Sequence, residues 1–405
     1  MRVPFTRNGR ALLNLPGYLA LVYTLFLTGF FLIQNAVDLY KFYSVALFLP
    51  GLFALRPALA KTGRNTLFYA ILAYLVYMLL TSFWSVDFSA SELFDDARLA
   101  AYILVFLLIA VLISAQDRKL FENIIRLTAV CAGLAAVVSI ALWYTKYPAP
   151  RPRLTGIGII DNPNPSAFAY GFFAILNGYY ALQSGWPGGR MIFFSLCTML
   201  LFLVLLTGSN TGILATASAI ALLLVLHQHS HKLLLAGGVL AGVAAVLYLL
   251  WSLGLLSSPV DAGFSQRLPV WHTVLNQWLA APVFGNGYQA ELLLTPAGDR
   301  DIANWAHNAL LATLRDGGIT GLILHLLVLG SAARAAARFT AEYRDPIYLV
   351  LLLFGFICMT ADTNQLITRP MELWIIFWLP LAMILARETA RSGRSFSRQA
   401  VQPDD

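Results

Sequence analysis

LAAYILVFLLIAVLISA, residues 99–115, is a seventeen-residue run without a single Asp, Glu, Lys or Arg. Membrane-spanning helices need about 17–25 such residues, rising about 1.5 Å each. The run is bounded by SVDFSASELFDDAR at 85–98 and by the charged QDRK at 116–119. An apolar run between charged flanks predicts a helix crossing a bilayer, because a helix satisfies its own backbone where water cannot.

The pattern repeats outward in both directions. Apolar runs at 16–34, 39–56, 67–84, 99–115, 124–144, 165–183, 191–207, 211–227, 233–252, 317–333, 346–361 and 372–387 predict about twelve spans. The 405 residues are 59% hydrophobic and 12% charged, against about 25% charged in a soluble domain. The fold class expected is therefore all-α, a polytopic membrane protein. The expected layout is spans 1–9 over 1–252, a loop region with amphipathic helices over 253–316, spans 10–12 over 317–387 and a tail over 388–405. The first span has no small-residue cleavage site, so it reads as a span and not a signal peptide. Cys131, Cys197 and Cys358 sit inside apolar runs and read as small core residues.

Lys and Arg set the expected orientation. With the N-terminus in the cytoplasm, 18 of the 27 basic residues fall on cytoplasmic ends and 9 on the other side. Both termini are then cytoplasmic, and the loops at 145–164, 206–212, 253–316 and 362–370 face outward. The net charge of +7 follows from these flanking residues and does not imply nucleic acid.

One long stretch is polar. Residues 264–321 read FSQRLPVWHTVLNQWLAAPVFGNGYQAELLLTPAGDRDIANWAHNALLATLRDGGITG. Within it, Val270, Trp271, Val274, Leu275, Trp278 and Leu279 predict one apolar face of a helix over 265–280, lying at the lipid interface. Arg267 falls near the N-terminus of that helix, an end that favours anions. A glycine-rich turn, PVFGNG, ends it. A second helix is expected from a cap at Asp301 to about Asp316, carrying His307, Leu311 and Arg315 along one side. A histidine there has three readings. It can take a proton near neutral pH, balance an anion's charge, or simply hydrogen-bond at the interface. His227, His229 and His231 crowd in a cytoplasmic turn without nearby Cys or carboxylate, so no metal is expected there. His325 lies mid-span and is expected to hydrogen-bond across helices. No nucleotide-binding glycine loop or metal-binding acidic pair is found.

Three segments together resemble the bacterial O-antigen ligase and polymerase superfamily. HNALLATLRDGGITG resembles its signature at His307, Asn308, Leu311, Leu314, Gly318 and Gly321. The preceding segment resembles Arg-x-x-x-Trp, then Pro and Gly-x-Gly, at Arg267, Trp271, Pro282, Gly285 and Gly287. RLTGIGIIDNPNPSA resembles Arg-x-x-Gly followed by Asn-Pro-Asn, at Arg153, Gly156 and 162–164. The chain departs from the family at Ser209-Asn210-Thr211-Gly212, where relatives often carry a basic residue in place of Asn210. Asn210 donates hydrogen bonds but no charge.

The resemblance implies a GT-C-like glycosyltransferase of the bacterial inner membrane, active on the periplasmic face. The donor implied is a polysaccharide on undecaprenyl diphosphate and the acceptor a sugar hydroxyl of lipid A–core, with membrane lipids around the chain. It implies inverting transfer without metal or cofactor. His307 is the implied base. Arg267, then Arg153 and Arg315, are the implied diphosphate ligands, with Arg369, Asn308 and Asn210 as further substrate contacts. Polymerases and protein O-oligosaccharyltransferases share the superfamily and differ in acceptor. A lipid-linked glycan transporter is the alternative of another class; it should carry paired polar residues deep within spans, and this chain has few.

Overall fold

The structure is a computed structural model describing residues 15–63, 65–149, 151–160, 162–227, 265–292 and 306–399. The expected span at 233–252, together with His229, His231, Arg300 and Asp301, lies outside the described residues. Among the described residues every regular element is helical. In chain order these are α1 Leu15–Leu32, α2 Ala36–Phe53, α3 Leu55–Thr62, α4 Thr66–Trp84, α5 Ala90–Gln116, α6 Arg118–Lys146, α7 Pro163–Gln183, α8 Pro187–Leu206 and α9 Asn210–His227. There follow α10 Ser265–Ala280, α11 Ala309–Tyr343, α12 Ile347–Asp362 and α13, which opens as a wide turn at Trp374–Trp378 and continues as Leu379–Gln399.

Eight of these helices are long and apolar enough to cross a membrane. A helix covers each expected span apart from 233–252. The chain is thus an all-helical polytopic membrane protein. α7 is less apolar than the eight, and burial explains it. Every residue from Ser166 to Asn177 is buried in the bundle. A helix surrounded by protein can carry polar groups if each finds a partner. Asn177 does so, donating to the carbonyls of Ala129 at 2.9 Å and Phe173 at 2.8 Å.

Helix starts follow their sequences. Asn35, Asn65, Ser89, Asp117, Asn162 and Asn308 each accept a backbone N–H in the first turn of the helix they precede. The interior is aromatic: Phe26, Tyr43, Phe106 and Trp374 come from four separate helices and meet with ring centroids 4.7–6.0 Å apart.

The loops sort to two ends, as alternating spans require. At one end Asn65 donates to Glu388 at 3.0 Å, Tyr179 to Asp345 at 2.8 Å, and Arg387 reaches Asp345 at 3.5 Å. All of these flank loops expected in the cytoplasm. At the other end the loops following α4, α6, α8, α10 and α12 converge, and they form the site.

Candidate active site

The frame of the site is a break in α11. Gly318 takes φ 62 and ψ −164 inside that helix, a conformation that excludes side chains. The break frees carbonyls near it, and the glycine-rich turn satisfies them. Asn286 N–H donates to Arg315 O and Gly287 N–H to Asp316 O, both at 2.9 Å. In return Ile319 N–H donates to Pro282 O at 2.9 Å and Thr320 N–H to Val283 O at 3.2 Å. Gly285 and Gly287 also take positive φ, 77 and 98. The family-like glycines are therefore one clamp, locking the loop after α10 onto α11.

α10 forms where expected, but its apolar face divides. Val270 and Val274 are buried against Leu292, Ala306 and Ala312, while Leu275 and Leu279 stay exposed. The indole of Trp271 donates to Ala306 O at 3.0 Å and so holds the strip just before His307.

The expectation that His307 rides on a helix with Leu311 and Arg315 is corrected. α11 starts at Ala309, and its cap is Asn308, whose side-chain oxygen accepts from Leu310 N–H at 3.0 Å and Leu311 N–H at 3.1 Å. His307 precedes that cap in the left-handed region, φ 49. The helical periodicity of the sequence continues upstream of Asn308, but the side chain of Asn308 caps the first turn and starts the helix there.

The turn at His307 sends its ring to Asp362. Nδ1 lies 2.8 Å from Asp362 Oδ1. An Arg267 Nη is 3.4 Å from the same oxygen. On the other carboxylate oxygen, Asn164 Nδ2 donates at 2.5 Å. Asn164 Oδ1 in turn accepts from Arg153 Nη2 at 2.7 Å, while Arg153 Nε donates to Thr207 O at 2.7 Å. Each of the three family-like segments thus delivers a residue to one carboxylate or to its partner.

Asp362 stands just outside the expected span 346–361. Burial alone raises its pKa. The hydrogen bond from His307, the charge of Arg267 and the hydrogen bond from Asn164 outweigh that and hold it below the ordinary carboxylate range. An ionised Asp362 can accept a proton from Nδ1, the arrangement by which a carboxylate orients an imidazole. The His307 side chain is 28% exposed. Two guanidiniums beside a carboxylate-oriented imidazole can bind an anion and accept a proton.

The other expected residues lie elsewhere. Asn210 is the first residue of α9, half-buried, in the turn that Arg153 grips through Thr207. Arg315 is 5% exposed, donating to buried Asp316 at 2.6 Å and to Ala290 O at 3.0 Å. Arg369 lies 5.5 Å from the ring of Tyr40. Arg315 and Arg369 both line a neighbouring cavity and are not among the partners of Asp362. Asp362 itself and the bridging role of Asn164 were not foreseen. One signal was available: a carboxylate ending an apolar helix at its C-terminus, where the helix dipole disfavours it.

Fold and site define a polytopic membrane protein with a histidine–carboxylate–arginine centre among the loops at one end of its bundle. The family model described as O-antigen ligase matches residues 194–326, a stretch holding Arg267, His307 and the clamp. A curated O-antigen ligase of Pseudomonas aeruginosa is 28% identical over 377 residues, covering 91% of this chain and 89% of that protein. With the three motifs in order, this chain is similar to the O-antigen ligases both along its central third and along most of its length.

Proposed function

We propose that this protein transfers a polysaccharide from undecaprenyl diphosphate to a sugar hydroxyl of lipid A–core, at the periplasmic face of the inner membrane. The observation supporting this reading is the convergence on Asp362 of His307, Arg267 and, through Asn164, Arg153.

In this reading the donor diphosphate lies against Arg267 and Arg153. The acceptor oxygen attacks the anomeric carbon on the face opposite the diphosphate. The bond from that carbon to the diphosphate oxygen breaks, and the lipid diphosphate leaves with the electron pair, inverting the centre. His307 Nε2 takes the hydroxyl proton, and Asp362 stabilises the imidazolium that results. The guanidiniums meet charge as it grows on the leaving group, so no step requires a metal. Asn210 and the first-turn N–H groups of α9 supply uncharged donors where relatives often carry a base.

The test is complementation of a ligase-deleted strain, read as the lipopolysaccharide ladder on gels. Wild type should restore the ladder. Arg267→Ala should abolish it and Arg267→Lys should restore little, because an ammonium lacks the bidentate fork. A full ladder from well-expressed Arg267→Ala removes Arg267 from the reading. Longer lipid-linked glycan without transfer to lipid A–core shows a polymerase instead.

A further inference from the structure

Beside the histidine centre lies a cavity of about 490 Å³, within the ~300–1,000 Å³ usual for small-molecule sites. Its lining includes Glu92, Asp95, Asp96, Arg315, Asn364 and Arg369. We propose that this cavity is the seat of the acceptor's terminal sugar, held through its hydroxyls by carboxylates and turned toward His307. The proposal rests on the transfer reading above and goes beyond it by separating an acceptor site from the diphosphate site.

The first argument is connection. The chain runs from Asp362 in the histidine centre to Asn364 and Gln365 in the cavity wall. Asn364 Oδ1 accepts from Ala306 N–H at 3.4 Å, the residue before His307. A ligand in the cavity therefore lies against the strip that carries both members of the proton-accepting pair.

The second argument is that the walls are built. Gln365 Nε2 donates to Tyr288 O and to Asp316 Oδ2, both at 2.9 Å. Arg315 ties the same wall to Ala290. Gln289 accepts from Ser89 N–H at 2.9 Å and donates weakly to Asp96 at 3.5 Å, joining the start of α5 to the turn after the clamp. Fixed walls that need no rearrangement are what a specific site requires. Arg315 is a charged side chain buried to 95% and still lining the cavity.

The third argument is charge. Glu92, Asp95, Asp96 and Glu291 supply four carboxylates, Asp95 paired with Arg98 at 2.9 Å, against the guanidiniums of Arg315 and Arg369. Arg315 is moreover already paired with Asp316. A diphosphate would meet repulsion here. A neutral polyol would meet acceptors for its hydroxyl protons and two donors for its ring or glycosidic oxygens. A cation is disfavoured by geometry: among the described residues no three His, Cys, Asp or Glu side chains come together as an ion-binding set. The four carboxylates thus read as sugar ligands, and the division of labour follows. Arginines at Asp362 take the phosphates, and the carboxylates of α5 take the sugar.

The experiment measures binding of two probes to the purified full-length protein in nanodiscs. One probe is undecaprenyl diphosphate. The other is soluble core oligosaccharide released from rough lipopolysaccharide by mild acid. Asp96→Asn and Glu92→Gln keep shape and remove charge. Each should weaken core-oligosaccharide binding about 10-fold or more, as loss of a hydrogen bond to a charged acceptor does, with lipid-diphosphate affinity within about 2-fold of wild type. Arg267→Ala should show the reverse pattern. If Asp96→Asn and Arg369→Ala instead weaken the lipid diphosphate, the cavity holds the donor and the proposal is wrong. Core oligosaccharide bound equally by wild type and both carboxylate variants, or not bound at all, also overturns it. Failure of the transfer reading is separate: it appears as absent glycan transfer by wild type, whichever probe binds.

Discussion

His307 Nδ1 and Asp362 Oδ1 lie 2.8 Å apart across 55 residues of chain, and this contact joins the family-like signature to a residue outside every motif. It orients the ring, and Arg267 lies 3.4 Å from the same carboxylate oxygen. Asp362→Asn keeps the size and removes the charge. We expect transfer to fall by about 10²-fold or more with normal expression, as when the carboxylate orienting a catalytic histidine is neutralised. The check is initial transfer rate by purified protein. A rate within 3-fold or so of wild type would mean that the imidazole needs no charged partner.

Backbone strain chooses the variant for His307. At φ 49 the residue occupies a region that Asn enters more easily than Ala or Gln. His307→Asn should therefore fold and bind undecaprenyl diphosphate nearly as wild type does, while transfer drops about 10²- to 10⁴-fold. His272→Ala is the control. That side chain is on the exposed side of α10, beside Asn276 at 3.1 Å, and its loss should leave most transfer. Wild-type transfer by His307→Asn would falsify the base assignment.

The spans were legible because lipid imposes one rule on every crossing segment, and LAAYILVFLLIAVLISA obeys it without help from neighbours. The helix at 265–280 was legible for a similar reason, since its two valines and two tryptophans recur with helical period. The start of α11 was not. Its periodic pattern continues upstream of Asn308, and only tertiary contacts pull His307 out of helical conformation toward Asp362. Asp362 was hidden because its meaning lies in three partners distant in sequence, Asn164, Arg267 and His307. Arg315, an expected diphosphate ligand, is buried beside Asp316 and lines a cavity away from Asp362, a placement set by contacts that its position in the sequence does not reveal.

Orientation is tested by two exposed positions, one at each end of the bundle. Val86, 91% exposed between α4 and α5, belongs to the face proposed as periplasmic. Trp186, 65% exposed between α7 and α8, belongs to the other. In intact cells Val86→Cys should react with an impermeant maleimide. Trp186→Cys should react only after permeabilisation. The opposite labelling pattern would invert the topology and move the centre to the cytoplasm.

The clamp around Gly318 gives a prediction about stability instead of chemistry. A Cβ there would lie 2.3 Å from Val283 O and 2.5 Å from Val283 C, both backbone atoms that no side-chain rotation can clear. The positive φ adds strain on the order of 1–3 kcal/mol for any L side chain. Relief requires the turn at 282–287 to lift from α11, breaking the four backbone hydrogen bonds that join them. Gly318→Ala should therefore lower the unfolding temperature in detergent by several degrees and reduce expression. It should also impair transfer, because the same clamp positions the strip leading to His307. Gly330, further along α11, has open space where its Cβ would go. Gly330→Ala should be neutral or slightly stabilising, since Ala is the better helix former. Equal melting of the two variants would show that the break at Gly318 is incidental to the fold and not its anchor.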